Sequence, residues 1–344
     1  MSLFDFFKFN HRTSVPSEVD EVLLSENKSL YIDFDKMCLS VVGGLKKLVA
    51  VGEFEWQEEL DLQVYGSDSA ATSLPAKVIA AINDLKHRLE GGVDVSVSLP
   101  LDSVFTKYIT IPKTDVSEKV LRAEMKKYVP LPFEEMLFAS NKVKEDKSQV
   151  SYFCVVIHKS LFDNYISIFK NYGIQPYFEL GCFSLARLAP PGVSLLVYVG
   201  FGESYTMLVR DGVLLEVNML SVSQFSMSTT LAKMYEISNS DAILLLRSLL
   251  ENKNNNQLKS KDMLVSFLKN SYENLIREVV VVRDSCNVVH GISLEQVVFT
   301  GTDLSVLKEV AISSGVSGFT PYPLFVSSKE INRYTHQIGL AKRP

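Results

Sequence analysis

Apolar and polar positions along the chain follow two different periods. Four segments carry apolar side chains at alternate positions or in short runs, which is typical of β-strands: 93–99, 105–111, 137–143 and 152–157. Two further segments repeat apolar side chains every three to four positions, which is typical of amphipathic helices: 115–128 and 160–172. Gly173 follows the second one, where a helix end needs a left-handed residue. The order strand, strand, helix, strand, strand, helix predicts a small β/α subdomain over residues 93–172.

Two strand meanders flank this block, one beginning near Ser29 and the other near Ser194. A Gly43-Gly44 pair in the first meander and an Asp211-Gly212 pair in the second are hairpin signals, because glycine accepts a positive φ. Three helical patterns follow the second meander: 222–235, 240–250 and 263–286. The repeated meander predicts a duplicated α/β protein that is split by the subdomain.

A proline-containing corner of the chain ends the helix that is predicted at residues 115–128. The sequence EMKKYVPLPFEE spans residues 124–135 and places prolines at 130 and 132. Proline lacks a backbone donor and moves the residue before it out of the helical region. The segment therefore predicts a helix that stops at Tyr128-Val129.

Composition favours a globular protein of about two domains, since the 344 residues are 47% hydrophobic and 22% charged. The net charge of −5 gives no basic field for nucleic acid. The apolar runs are shorter than the roughly 20 residues that span a bilayer, and Asp5 and Lys8 interrupt the start of any secretory signal. Four scattered cysteines, 38, 154, 182 and 286, are expected to be free thiols in a reducing cytoplasm.

Common catalytic patterns do not occur in this sequence. The five histidines have no H-x-x-x-H or H-x-E spacing, so a metal site is not indicated. Neither a G-x-S-x-G elbow nor a G-x-x-x-x-G-K-[ST] loop is present. We therefore expect no catalytic residue and no metal ligand.

Several ordered segments resemble those of the PilM family, the actin-like cytoplasmic proteins of type IV pilus assembly. They are Ile32-Asp33-Phe34, residues 97–100, residues 109–112, residues 173–176 with Leu185-Ala186-Arg187, residues 196–200, and residues 339–343. The corner at residues 130–135 also resembles one in that family. FtsA and the cytoplasmic domain of the secretion protein GspL have related architectures.

The resemblance implies an actin-like fold, that is, a ribonuclease-H-like duplicated α/β fold with an inserted β/α subdomain. Residues 1–28 would form a leader and residues 93–172 the insertion. The first domain would take residues 29–92 and 173–193 with a C-terminal helix at 328–343. The second would take residues 194–327, with a helical subdomain at about 225–285.

The resemblance also implies a cleft for ATP or ADP with Mg²⁺. Its counterparts here are Asp33, Lys36, Gly200, Gly202, Ser204, Thr206 and Gly301. Asp35 and Met37 stand where the family has small residues, Tyr198 stands where it has an aspartate, and Thr302 replaces a glycine. Small residues let backbone N–H groups approach phosphates, so we expect a degenerate cleft and a pseudo-ATPase. The alternative is an active actin-like ATPase that switches or polymerises with nucleotide.

The partner that the resemblance implies is the N-terminal cytoplasmic tail of a PilN-like membrane protein. It would lie between the first domain and the insertion, along the strand edge at residues 105–111 and the helix at 116–128. The contact residues would be Tyr108, Ile111, Lys119, Arg122 and Tyr128. The protein would then sit at the cytoplasmic face of the inner membrane through its partner, and self-association stays open.

A Phe-rich segment, residues 1–10, has two interpretations. Leu3, Phe6 and Phe7 would share a helical face. This face either anchors the chain to a membrane surface or a partner, or packs locally on its own domain.

Overall fold

The computed structural model describes residues 29–34, 38–44, 49–55, 94–170, 173–251, 261–292, 294, 296–301, 307, 310 and 319–321. By contacts the chain divides into two compact units. The first comprises Met1–Pro191, Arg210–Glu216 and Tyr334–Pro344, and the second comprises Gly192–Val209 and Val217–Arg333. The predicted leader, residues 56–92 of the predicted first domain, and the predicted C-terminal helix lie outside the described residues.

The strands are β1 (Ser29–Phe34), β2 (Cys38–Gly44), β3 (Val49–Glu55), β4 (Asp94–Leu99), β5 (Val104–Pro112), β6 (Met136–Glu145), β7 (Gln149–His158), β8 (Tyr177–Leu180), β9 (Val193–Val199), β10 (Ser204–Arg210), β11 (Val213–Met219), β12 (Gln296–Gly301) and β13 (Phe319–Pro321). The α-helices with described bounds are α1 (Glu118–Lys126), α2 (Lys159–Lys170), α3 (Gly181–Ala186), α4 (Gln224–Tyr235), α5 (Asn239–Glu251) and α6 (Lys261–His290).

Two five-stranded sheets share one topology. Their strand orders are β3-β2-β1-β4-β8 and β11-β10-β9-β12-β13. In the first sheet β1, β4 and β8 run parallel, and in the second β9, β12 and β13 do. Each sheet therefore joins a consecutive three-strand meander to two parallel strands, and this equivalence confirms the predicted duplication.

The register shows which positions correspond in the two sheets. Asp33 in β1 pairs with Ser98 in β4, and Tyr198 in β9 pairs with Thr300 in β12. Asp33 and Tyr198 are each the penultimate residue of the first strand of their sheet. The substitution of Tyr198 for an acidic residue therefore falls at the position that is equivalent to Asp33.

Strand β4, which is predicted to lie in the insertion at residues 93–172, instead pairs with β1 and β8 in the first large sheet. The insertion after β4 contains a three-stranded antiparallel sheet of order β5-β7-β6, which we call the small sheet. Helix α1 covers one face, and Leu121 and Met125 pack there with Ile109 and Ile111 of β5. Ser117 caps this helix by accepting a hydrogen bond from the backbone N–H of Val120. The helix ends at Lys126 before the prolines, as the sequence predicts.

Local glycine chemistry also follows the sequence. Gly173 has a φ of 65°, and its N–H donates to the carbonyl of Lys170 at the end of α2, which is the predicted left-handed helix end. Asp211 and Gly212 have φ values of 50° and 78°. Two positive values at a two-residue connection are those of a type I′ hairpin.

The second sheet carries a helical layer on one face. Val197 of β9 and Phe299 of β12 pack there against Leu231 of α4, Leu246 of α5 and Tyr272 of α6. Within the described part of the chain, no helix is both long enough and apolar enough to cross a bilayer.

Candidate functional site

Asp33 is buried at the carboxyl end of β1, between Ser40 of β2 and Ser98 of β4. We call residues 35–37, which link β1 to β2 in the chain, the first turn, and residues 38–40 already belong to strand β2. Lys36, the other predicted residue here, lies outside the described residues. Asp33 is therefore the only predicted cleft residue in or beside the first turn whose surroundings can be described.

A polar row crosses the first sheet at the level of Asp33. Ser98 pairs with Asp33 on one side and with Glu179 of β8 on the other, so the three side chains share one face. Both carboxylate oxygens of Glu179 accept hydrogen bonds from Arg187, at 2.6 and 2.9 Å. Sequence reasoning named Arg187 but missed Glu179, because nothing in the local pattern links a strand residue to a helix end eight positions later.

Residues 200–203, which include the predicted cleft residues Gly200 and Gly202, connect β9 to β10 and are called the second turn below. This turn is closed by a hydrogen bond from the N–H of Gly200 to the carbonyl of Glu203, at 3.0 Å. The ring of Tyr198 lies against Gly200: a Cβ on this glycine would be 2.5 Å from Cε1 of Tyr198 and 2.6 Å from the Glu203 carbonyl oxygen. Tyr198 also stacks on Tyr205, with ring centroids 5.0 Å apart. An aromatic ring therefore covers the glycine that would have to approach a phosphate.

The first backbone donors of α4, which follows the turn, are already used. The N–H of Gln224 donates to the Gly200 carbonyl at 3.3 Å, and that of Phe225 donates to the Phe201 carbonyl at 2.7 Å. The N–H of Ser226 donates to the hydroxyl of Ser223 at 3.2 Å, as part of a capping box. A helix N-terminus binds anions through unused N–H groups, and the first three of this helix are occupied by the protein itself.

Glu203 adds a buried carboxylate to the same turn, which the sequence reasoning did not identify. An ionised carboxylate at this position would repel phosphate oxygens. Beside it, Phe201 packs on Phe225 and lies under the guanidinium of Arg247, 5.6 Å from the ring centroid. The side chains of the second turn are therefore packed within the second unit.

The other predicted cofactor residues make packing contacts or hydrogen bonds within the protein, or lie in the turn. Ser204 and Thr206 are fully buried in β10, and the Thr206 hydroxyl lies 3.5 Å from the carbonyl of Asn218. Gly202, which is only partly buried, lies within the turn. Gly301 has a φ of 111°, and a Cβ there would lie 2.1 Å from the carbonyl oxygen of Val199. This close approach of β12 to β9 explains the glycine without a nucleotide.

The position of a metal-organising aspartate holds Tyr198, whose phenol is a poor match for the hard oxygen ligands that Mg²⁺ prefers. Across the described residues, no group of three or more His, Cys, Asp or Glu side chains is arranged to hold a metal ion.

A second candidate surface is the outer edge of β5, which pairs with β7 alone among the described strands. The N–H of Lys113 donates to the carbonyl of Ser148, so the alternate pairs Ile111–Val150 and Ile109–Tyr152 are the hydrogen-bonded ones. The backbone groups of Thr106 and Thr110 then point away from β7. Pro112 fits this pattern, because its missing N–H belongs to the outward-pointing set.

The predicted partner residues do not all lie on one surface of the insertion. Tyr128 is 52% exposed and lies beside the β5 edge, with Nζ of Lys107 at 4.7 Å from its ring centroid. Arg122 donates to Glu118 at 2.7 Å, and its guanidinium lies 5.0 Å from the ring centroid of Phe138 in β6, at the other edge of the small sheet. Lys119 is exposed on the same helix, three residues before Arg122. Tyr108 is opposite Phe153, on the other face of the small sheet.

Ile111, which is predicted from the sequence as a contact at the exposed edge, is buried instead. Its side chain is only 4% exposed and packs under α1 with Leu121 and Met125. The alternation of β5 sends residues 109 and 111 to the helix-covered face. Ile111 therefore contributes core packing.

The fold was compared with known proteins. No protein-family model matches the chain, and no curated sequence matches it. The structure of the PilM–PilN type IV pilus biogenesis complex matches with a TM-score of 0.60 at 18% identity, covering 92% of this chain and 98% of the other. The ethanolamine utilization protein EutJ from Carboxydothermus hydrogenoformans matches with a TM-score of 0.48 at 11% identity, over 91% and 88%. Ta0583, an archaeal actin homolog, gives 0.47 at 9% identity, over 91% and 98%.

The first of these matches covers nearly both chains and agrees with the duplicated sheets and the insertion. The protein has an actin-like α/β fold, similar to that of the pilus complex. At 18% identity the likeness concerns the fold alone.

Proposed function

We propose that this protein is a scaffold of a type IV pilus-type assembly machine that binds the N-terminal cytoplasmic tail of a PilN-like membrane protein. The supporting observation is the fold match to the PilM–PilN complex over 92% of the chain. The protein would then be peripheral to the inner membrane, held at its cytoplasmic face by the partner.

The edge of β5 is the site that we assign to the tail. Its outward-pointing backbone groups at Thr106 and Thr110 offer an incoming extended peptide the hydrogen bonds of a further strand. Tyr128 stands beside this edge and offers an exposed aromatic face with Lys107 above it. Main-chain bonds would supply the docking geometry, and a few buried anchors would supply most of the affinity.

We further propose that the protein works without ATP hydrolysis. Tyr198 over Gly200, the carboxylate of Glu203 and the occupied amides of α4 all oppose a phosphate chain at the second turn. These features favour the pseudo-ATPase over the alternative of a switching ATPase.

The edge can be tested with one backbone substitution. Thr110→Pro removes an N–H that points away from β7, so the small sheet keeps its own ladder. It should abolish binding of a synthetic peptide with the N-terminal sequence of the PilN-like protein, measured by fluorescence anisotropy. Thr110→Val is the matched control, since it keeps the N–H and loses only the hydroxyl that contacts Ser151.

The outcomes separate this site from others. Tyr128→Ala should also weaken peptide binding, while Thr110→Val should bind like the wild type. Undiminished binding by Thr110→Pro would contradict strand addition at β5. Deleting residues 1–10 should leave peptide binding intact. If the deletion instead removes the protein from membranes that lack the partner, the segment is an anchor.

A further inference from the structure

Helix α6 has one face that is buried in the core and an opposite face that is exposed to solvent. Leu264, Leu268, Tyr272, Leu275 and Val279 are buried in the core of the second unit. At about 100° per residue, these side chains fall within one arc of about 80°. The opposite arc holds Arg277, Val281, Asp284 and Val288, within about 60°.

Exposed valines make this outer face unusual. Val281 is 68% exposed and Val288 is 84% exposed. Valine is a poorer helix former than alanine, lysine or glutamate, and the solvent side of a surface helix is normally polar. Val281 and Val288 are therefore apolar, as residues in a helix–helix contact usually are, although both are exposed to solvent.

The charges around Val281 are arranged for self-recognition. Arg277 lies four residues before it and Asp284 three residues after it, which is about 6 Å and 4.5 Å along the axis. If a second helix runs antiparallel with its own Val281 opposite, its Asp284 falls beside Arg277, offset by only about 1.5 Å. The same contact forms a second time by symmetry, because a two-fold interface repeats each pair.

We infer that a second copy of this chain packs antiparallel on the outer face of α6, centred on Val281. Both charged side chains are available for this, at 75% exposure for Arg277 and 60% for Asp284. Their contacts within the chain, Arg277 with Glu273 at 3.9 Å and Asp284 with Arg283 at 2.9 Å, are exposed pairs. Such pairs contribute little and exchange readily.

The register is set by charge. Shifting the pair so that Val281 meets Val288 of the second copy would put the centre between residues 284 and 285. Two Asp284 carboxylates would then face each other across the axis, and like charges in contact are unfavourable. The register centred on Val281 avoids this and gains two Arg–Asp contacts.

The interface is small, so the dimer is weak. Helix α6 ends at His290, nine residues past Val281, which limits the overlap of the two helices to about 27 Å. This is less contact than a standard stable interface has. We expect a dissociation constant on the order of micromolar or weaker. The inference is independent of the peptide site on β5, because α6 belongs to the other unit.

Charge reversal tests the pairing. Sedimentation velocity of the full chain over a concentration series should show a monomer–dimer equilibrium. Arg277→Glu and Asp284→Arg should each raise the dissociation constant about tenfold or more, since each creates like-charge contacts. The double variant should restore wild-type dimerisation, because glutamate at 277 then meets arginine at 284. Lys269→Glu, on the same helix but off the stripe and 59% exposed, is the matched control and should dimerise normally.

A cross-link tests the register. Val281→Cys places two thiols at the axis, where close helices bring Cα atoms within disulfide range, and oxidation should give a covalent dimer. A wild type that stays monomeric at all concentrations would overturn the inference. So would a double variant as weak as the single ones, or a cross-link through Ser285→Cys and not through Val281→Cys.

Discussion

The ring of Tyr198 lies on the α-carbon of Gly200, so closely that a methyl group on the glycine would come within 2.5 Å of Cε1. The two residues are two positions apart at the end of β9. A phosphate-binding turn needs accessible backbone at such a glycine, and here the tyrosine ring covers it. The ring continues into a stack with Tyr205. The turn is therefore stabilised by packing within the protein.

Gly200→Ala should destabilise the second unit. The new Cβ would meet the Tyr198 ring at 2.5 Å and the Glu203 carbonyl at 2.6 Å, and overpacking of this kind costs about 1–3 kcal/mol. Urea denaturation gives the change in the free energy of unfolding. Tyr198→Ala in the same chain should recover only part of this loss, because the carbonyl contact stays. Wild-type stability for Gly200→Ala would show that the ring does not lie there.

Mg-ATP should bind weakly or not at all. The expected isothermal titration shows a dissociation constant no tighter than about 1 mM, because ring, carboxylate and occupied amides oppose the phosphates at the second turn. Replacing Tyr198 alone with aspartate should not create tight binding, since Glu203 and the capped helix remain. A micromolar constant for the wild type would contradict the pseudo-ATPase. If crowding at the first turn also matters, Asp35→Gly with Met37→Ser should improve binding.

Arg187 and Glu179 should respond unequally to substitution. Glu179 is nearly fully buried, with a side-chain exposure of 4%, while Arg187 reaches solvent at 24%. Arg187→Met leaves a buried carboxylate without its cation, which costs about 3–5 kcal/mol. Glu179→Gln keeps one acceptor for a guanidinium that can also contact water, so the loss should be smaller.

The double variant Arg187→Met with Glu179→Leu completes this cycle of unfolding measurements. Removing both charges should be less destabilising than removing arginine alone, because no buried charge is left. If both single variants lose the same free energy of unfolding, the two partners share the desolvation cost evenly. That outcome would contradict the expectation from their different burial.

The sequence predicts what depends on local patterns. The duplicated α/β layout, the positive φ of Gly173 and the Asp211-Gly212 hairpin follow from periodicity and glycine chemistry, and the structure confirms them. The actin-like fold was implied by the family resemblance, and it is confirmed as well. Strand β8 was missed because its four residues, between Pro176 and α3, are too few to show a period. Ile111 was misplaced because a strand's alternation does not reveal which face a helix will cover.

The candidate site depends on contacts that no local pattern encodes. The family resemblance implies that Tyr198 stands where an aspartate is expected, but the packing of its ring on Gly200 depends on a rotamer and on Tyr205. The pairing of Glu179 with Arg187 likewise depends on how α3 leaves β8. Lys36 and Met37 stay predictions, since they lie outside the described residues.

Cys154 should report whether the small sheet stays closed. It lies in the core beneath α1 with Ile109 and Met125, and burial raises the pKa of its thiol to about 12. Only the thiolate reacts with iodoacetamide, so at pH 8 the native protein should be alkylated at Cys154 far more slowly than the urea-unfolded chain. Peptide mapping by mass spectrometry distinguishes this site from the other cysteines.

The same shift sets a pH dependence with a definite sign. The folded thiol holds its proton up to about pH 12, while an ordinary thiol loses it near 9.0, so ionisation favours the unfolded chain at high pH. This contribution to stability is present below about pH 9 and is lost as the pH rises toward 12. Cys154→Ala should flatten that part of the curve of stability against pH.

Thr110→Pro should keep Cys154 protected from alkylation at pH 8, because its proline removes only an outward-pointing donor. Rapid alkylation in that variant would mean that the substitution opens the sheet, and its loss of peptide binding would then say nothing about the strand edge.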